Sequence, residues 1–275
     1  AGVEALGYLP KCADVEIPSR HLGLSLDEDF CFEEFADRVA ELVEKYVDID
    51  RLLELTKQVA PAALPMSVSH RTYRREPSFT VAIARDPAFN FMYEANIRYL
   101  HHLGEVTYFS PLADTSLPDA GFVYLPGGYP ELYLAALSAN RPMLQSIRRY
   151  VENGGKLLAE CGGMMYLCDE IRDKNGDVFP MVGVLHQSAT MENMKLRLGY
   201  RTLLYNDARL KGHEFHYSRL VEQQDPLPSC AVAYTAKGVE TDTPLYHYKN
   251  VWAGYTHLYW ADPAGNDWFT KFIIK

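Results

Sequence analysis

From Phe79 to Glu170 short apolar runs alternate with segments of helical period. The runs Phe79 to Ala84, Glu105 to Ser110, Gly121 to Leu125 and Lys156 to Glu160 read as buried strands. The intervening stretches Tyr93 to Leu103, Glu131 to Leu137, Pro142 to Glu152 and Gly162 to Glu170 read as helices. Strands that alternate with helices are accommodated by one arrangement above all, a mainly parallel sheet with flanking helices on both faces. The fold class predicted is therefore α/β, and ligands are expected outside the carboxyl ends of the strands.

The flanks have other textures. Before this region, Phe32, Phe35, Val39, Leu42, Val43 and Tyr46 recur at helical spacing, and Asp48 or Asp50 can cap a second, shorter helix. Prolines and a Ser/Arg-rich run up to Pro77 read as a linker, which places a boundary near Ser78. Residues 1–78 are then an N-terminal helical connecting segment and 79–275 one domain. From Asp173 onward β-rich segments follow (Arg197 to Tyr205, His213 to Leu220, Ala231 to Ala236, Val251 to Tyr255), and Ala261 to Lys275 reads as a closing helix.

Composition narrows the function classes. With 27 Lys+Arg against 36 Asp+Glu the formal net charge is -9, and no long basic cluster exists, so nucleic acid is excluded as a partner. No apolar run approaches a membrane span, and Ala1 to Pro10 lacks the layout of a signal peptide and an initiator Met, reading as the interior of something longer. The 5 cysteines fall at irregular spacings without a zinc pattern, which predicts reduced thiols in a cytoplasmic protein and no metal site.

One cysteine stands apart. Cys161 follows a strand and precedes a helix, with Ala159 and Gly163 as small neighbours, the layout of a nucleophile elbow. The helix start after it favours thiolate, and the Gly162 N–H is placed to serve an oxyanion. The turn Leu125-Pro-Gly-Gly-Tyr-Pro-Glu131 also joins strand to helix, and Gly127 and Gly128 let backbone N–H groups face a substrate oxygen. A Cys nucleophile needs a base. Of 9 histidines, His257 at a late strand end fits best, while His213 and His216 share Gly212-His-Glu-Phe-His-Tyr-Ser218. Cys168, Met164 and Met165 read as packing residues.

These residues resemble a known family. Arg20-His-Leu-Gly-Leu24, Ala84-Arg-Asp-Pro-Ala-Phe-Asn-Phe91, Leu125-Pro-Gly-Gly-Tyr-Pro-Glu-Leu132, Ala159-Glu-Cys-Gly-Gly163, Gly212 to Ser218 and Gly254-Tyr-Thr-His-Leu258 occur in the order found in the C-terminal, glutaminase-like portion of cobyrinic acid a,c-diamide synthases. The resemblance implies a class I glutamine amidotransferase-like (flavodoxin-like) fold. It also implies the glutaminase half of an ATP-dependent ligase that amidates the a and c carboxylates in cobalamin biosynthesis. Cys161 corresponds to the nucleophile, His257 to its base, and Gly128 and Gly162 to the oxyanion donors. Glutamine is the substrate here. The corrinoid cobyrinate and Mg-ATP belong with an upstream half, because no Gly-x-x-x-x-Gly-Lys-Ser/Thr loop exists in this chain. Ordinary class I glutaminases carry a Glu two residues after the catalytic His. Here that position is Tyr259, and Glu160 is a weak substitute. His213, Glu214, His216, Asn90 and Tyr93 are candidates for contact with the corrinoid, the glutamine or the other half. Alternatives are the same half of a hydrogenobyrinate or nickel sirohydrochlorin amidotransferase, or a non-catalytic docking module; a homodimer is left open.

Overall fold

A computed structural model describes residues 2–16, 19–20, 23–24, 31–57, 79–224 and 226–271. The chain separates into two compact units, Ala1–Thr72 and Tyr73–Lys275. The boundary expected near Ser78 lies outside the described residues.

In the first unit, β1 (Ser19–Arg20) pairs antiparallel with β2 (Gly23–Leu24). Helices α1 (Phe32–Tyr46) and α2 (Ile49–Lys57) follow, as the spacing predicts, and neither buries a residue. Asp48 caps α2, its Oδ1 accepting the Arg51 N–H at 2.9 Å. The Arg51 guanidinium in turn forks onto Glu4.

The second unit is built on a six-stranded sheet. Its strands are β3 (Thr80–Ala84), β4 (Glu105–Phe109), β5 (Phe122–Leu125), β6 (Lys156–Glu160), β15 (Leu245–Tyr248) and β16 (Val251–Gly254), in the order β15-β16-β6-β5-β3-β4. All neighbours are parallel except the β15–β16 hairpin. The β6 strand is the predicted run, and β3, β4 and β5 are the other three predicted runs each shortened by one residue.

Side chains alternate across this sheet and feed two separate cores. Ala82, Val123, Leu125, Leu157, Ala159 and Ala253 face one side, where α4 (Leu134–Ala139), α5 (Arg141–Glu152) and α6 (Gly162–Leu167) pack. Val81, Ile83, Phe122, Tyr124, Leu158 and Trp252 face the other, against α3 (Glu94–Leu103) and α7 (Pro263–Phe269). That second side also takes Leu203, Leu210 and Leu258 from a five-stranded antiparallel sheet, β14-β13-β10-β11-β17. Its strands are β10 (Arg197–Tyr205), β11 (Ala208–His216), β13 (Val232–Thr235), β14 (Glu240–Thr241) and β17 (His257–Tyr259). A small sheet of β7 (Glu170–Arg172), β8 (Val178–Pro180), β9 (Ser188–Thr190) and β12 (Arg219–Leu220) completes the unit.

Three elements differ from expectation. The helix predicted to run to Glu170 stops at Leu167, because Glu170 and its neighbours pair with Ser188–Thr190 on one side and Val178–Pro180 on the other. The helix predicted from Glu131 is a 3-10 turn, Pro130–Leu132, followed by α4. The closing helix ends its regular part at Phe269.

Candidate active site

Three adjacent strands, β5, β6 and β16, bring the predicted chemistry to one edge. Each ends in a residue or turn the sequence singles out: Gly127–Gly128 after β5, Cys161 after β6, His257 just beyond β16. Pairing fixes their relative depth, since Leu125 lies beside Ala159 and Glu160 beside Gly254, and the Cys161 N–H donates to the Gly254 carbonyl at 2.8 Å.

Cys161 takes φ 48° and ψ -107°. Left-handed backbone is costly for any residue with a Cβ, by about 1–3 kcal/mol, and a reactive position is where such strain is tolerated. The neighbours make room for it. A Cβ on Gly163 would overlap the Leu125 carbonyl, and one on Gly162 would come within 2.7 Å of Pro130 Cδ and 3.2 Å of the Gly128 nitrogen. The two peptides expected to hold an oxyanion therefore lie side by side. The Gly128 N–H finds no partner among the described residues, whereas the next one, Tyr129 N–H, donates to the Ala88 carbonyl.

His257 is buried and packs on the Gly-Gly turn so closely that a Cβ on Gly127 would overlap its ring. Burial, reinforced by the nearby imidazoles of His213 and His216, lowers its pKa to about 3, so the ring is neutral and ready to take a proton. Its Nδ1 is buried with no partner among the described residues. Burial also pushes the Cys161 thiol well above its ordinary value. Charge on Glu131 adds to this, and the bond from the Gly162 N–H only partly opposes it. The resting pair is thus neutral thiol and neutral imidazole. The helix start expected to favour the thiolate is short, α6 having only 6 residues, and burial works against it.

Glu160 does not orient His257. Its carboxylate turns beneath the sheet, where Oε2 accepts the Tyr124 hydroxyl at 2.7 Å and Oε1 accepts the Leu258 N–H at 3.1 Å. Burial raises its pKa to about 7 against these bonds. It grips the backbone beside the histidine and leaves the ring alone. Asn96 adds a second grip from α3, its amide donating to the Leu258 carbonyl at 2.8 Å and accepting the Trp260 N–H at 3.1 Å.

The Gly212 to Ser218 segment splits by face, as strand alternation requires. Glu214 and His216 point inward: Glu214 pairs with Arg201 at 2.8 Å, and His216 lies flat on Tyr255 with centroids 3.8 Å apart. The expectation that they contact a corrinoid or another domain is corrected on this ground. His213 points the other way, directly opposite His257 in the β11–β17 register. The two rings stack at 4.9 Å and 21°, and Tyr93 Oη lies 2.6 Å from His213 Nδ1. Asn90 is exposed and bonds only weakly to the Pro87 carbonyl. Tyr259 turns its ring edge to Tyr93 at 5.4 Å.

Two participants are missed by sequence reasoning. Phe91 sets its ring edge-on to both His213 and His257, the latter at 4.6 Å; nothing local marks it except its place in the strand-to-helix loop. Arg201 neutralises Glu214 from the neighbouring strand, a pairing that exists only once β10 and β11 are in register.

Comparisons with known proteins bear on the chain as a whole. The model of the CobB/CobQ-like glutamine amidotransferase domain matches residues 80–265. A hydrogenobyrinate a,c-diamide synthase of Pseudomonas aeruginosa is 36% identical over 265 residues, covering 94% of this chain and 58% of that protein. A cobyrinate a,c-diamide synthase of Dehalococcoides mccartyi is 37% identical, covering 95% and 59%. A hydrogenobyrinate a,c-diamide synthase of Stutzerimonas stutzeri is 38% identical, covering 92% and 57%. The chain thus spans less than three-fifths of the length of these relatives. Among solved structures, PurLQS from Thermotoga maritima aligns with a TM-score of 0.47 at 19% identity, over 66% of this chain and 87% of that one. With its mainly parallel sheet, flanking helices and matched domain, the chain belongs to the CobB/CobQ-like glutamine amidotransferase family.

Proposed function

We propose that this chain is the glutaminase half of an ATP-dependent a,c-diamide synthase of corrin biosynthesis, acting in the cytoplasm, where its thiol stays reduced. The carrying observation is Cys161 in left-handed backbone at the end of β6, wedged between the Gly127–Gly128 turn and the strand that delivers His257.

Chemistry follows from the neutral resting pair. The Cys161 sulfur attacks the side-chain amide carbon of glutamine as His257 takes the thiol proton. The amide oxygen becomes an oxyanion, held by the N–H groups of Gly128 and Gly162. His257 then protonates the amine, the C–N bond breaks, and ammonia leaves a thioester on Cys161. Water attacks that thioester, giving its proton to His257, and glutamate and the thiol are released. Because burial disfavours the thiolate, the proton must move as the carbon–sulfur bond forms, and a well-seated substrate is needed for turnover.

Ammonia would pass to an acceptor carboxylate activated elsewhere. This chain has no Gly-x-x-x-x-Gly-Lys-Ser/Thr run and, among the described residues, no group of three metal-ligating side chains. Its residues do not fit Mg-ATP, and the activation step belongs to residues outside it. Identity to cobyrinate and hydrogenobyrinate enzymes is nearly equal, 37% against 36% and 38%, so the acceptor class is the corrinoid a,c-dicarboxylate, with or without cobalt.

The test uses the full-length enzyme. Cys161→Ser should lose glutamine-dependent amidation and keep ammonia-dependent amidation; retention of the glutamine-dependent rate would remove Cys161 as nucleophile. Wild-type protein should also be labelled at Cys161 by a glutamine-analogue electrophile. Absence of labelling would favour a docking module on this fold.

A further inference from the structure

The base of the proposed glutaminase lacks the orienting carboxylate of an ordinary triad. Tyr259 stands in its place, and Glu160 is committed to Tyr124 and the Leu258 backbone. Yet the His257 ring has to be held, because an imidazole free to turn about its side-chain bonds aligns its nitrogen with the sulfur only part of the time. The candidate restraint lies on the neighbouring strand. His213 sits opposite His257 in the β11–β17 register and stacks on it at 4.9 Å and 21°. Phe91 closes against both rings from the edge, at 5.4 Å and 4.6 Å. Tyr93, at the start of α3, anchors His213 through a 2.6 Å hydrogen bond to Nδ1 and a ring-edge contact at 5.7 Å.

We infer that His213 is a positioning residue of the glutaminase site: fixed by Tyr93 and stacked on His257, it sets the plane of the catalytic imidazole, a task that the triad carboxylate performs in ordinary class I glutaminases. This rests on the reading of Cys161 and His257 as nucleophile and base.

Protonation states agree with the geometry. Burial, aided by charge on Glu160, pushes the Tyr93 phenol up to about 12, so Tyr93 stays neutral in its 2.6 Å hydrogen bond with His213 Nδ1. Burial lowers the His213 pKa while Glu214 opposes it, and a neutral ring stacks on His257 without charge repulsion. Of the other titratable groups near His257, His216 acts on it from β11 while its ring lies on Tyr255, and Glu160 meets only the neighbouring Leu258 N–H. Glu214 is already paired with Arg201 and accepts from Thr256, so His213 alone among them presents a flat face to the base.

The experiment is a variant series in the full-length enzyme: His213→Ala, His213→Phe, Tyr93→Phe and, as control, Cys161→Ser. Glutamine-dependent and ammonia-dependent amidation are measured across pH. His213→Ala should lower the glutamine-dependent kcat by about ten- to a hundredfold, by analogy with losing the outer partner that orients a metal-bound imidazole. Ammonia-dependent amidation should persist. The acidic limb of the glutamine-dependent profile should move to higher pH, because His257 becomes more hydrated and burial is what holds its pKa down. His213→Phe keeps a flat ring and should recover much of the rate, and Tyr93→Phe should fall between. An unchanged rate and profile in His213→Ala overturns the inference, as does a loss shared equally by ammonia-dependent amidation or a profile that drops without shifting. If Cys161→Ser retains glutamine dependence, the glutaminase reading itself has failed. If Cys161→Ser loses it while both His213 variants behave as wild type, only the positioning role has. Should His213→Ala not fold, His213→Phe against Tyr93→Phe decides: full loss in the former with none in the latter runs against a stacking restraint.

Discussion

At the scale of single residues the site stores strain in one place. Cys161 pays for its left-handed backbone, and of the five non-glycine residues with positive φ among those described it is the one at the end of β6. At most structured positions alanine is more stable than glycine, because glycine gives up more chain entropy. At position 161 the order should invert. Cys161→Gly is expected to unfold at a higher temperature than Cys161→Ala, by the equivalent of about 1 kcal/mol or more, in paired calorimetric melts of the two variants. Equal midpoints would mean that the elbow carries no net strain. This feature was legible in the sequence because its causes are local: Ala159 and Gly163 flank Cys161 within one turn, and close packing there tolerates little else. The charge state was not legible. It depends on how completely β5, β16 and the Gly-Gly turn enclose the thiol, and desolvation is a property of the closed fold.

At the scale of elements, short apolar runs and the helical periods between them translated directly into β3, β4, β5, β6, α3 and α5. Each is defined by its own residues and by burial on a face that alternation reveals. The failures lie where distant pairing overrides local preference. Gly162 to Glu170 looks helical to its end, yet Glu170 is claimed by two strands later in the chain. The His213–His257 pair is invisible for the same reason, since it exists only when β11 and β17 meet in register. Strand β17 is short, 3 residues, and would be weakly held by pairing with β11 alone. Asn96 supplies the rest by bonding the backbone on both sides of Tyr259. Asn96→Ala leaves two buried backbone groups unpartnered and should destabilise the domain by about 2–5 kcal/mol. Hydrogen exchange at the Trp260 amide should speed up in the same variant; unchanged protection there would show that another group holds the strand.

At the scale of the whole molecule, every buried hydrophobic residue among those described lies between Val81 and Phe269. The second unit therefore holds both cores, one on each face of its sheet. A chain trimmed to Tyr73–Lys275 is expected to keep a single cooperative thermal transition by near-ultraviolet circular dichroism; a broad, gradual melt would show that residues before Tyr73 are needed for the fold. The first unit offers instead an amphipathic α1 with no buried residue.

The two side-chain grips on β17 also bear on association between molecules. That strand forms the border of the five-stranded sheet, and such borders ordinarily present free amides and carbonyls that recruit a strand from another copy. Here the Leu258 and Trp260 amides and the Leu258 carbonyl, which face away from β11, are already occupied by Glu160 and Asn96. The rim that carries His257 is sealed against strand addition, so the same bonds that hold its backbone in place leave no free edge there for another copy to extend.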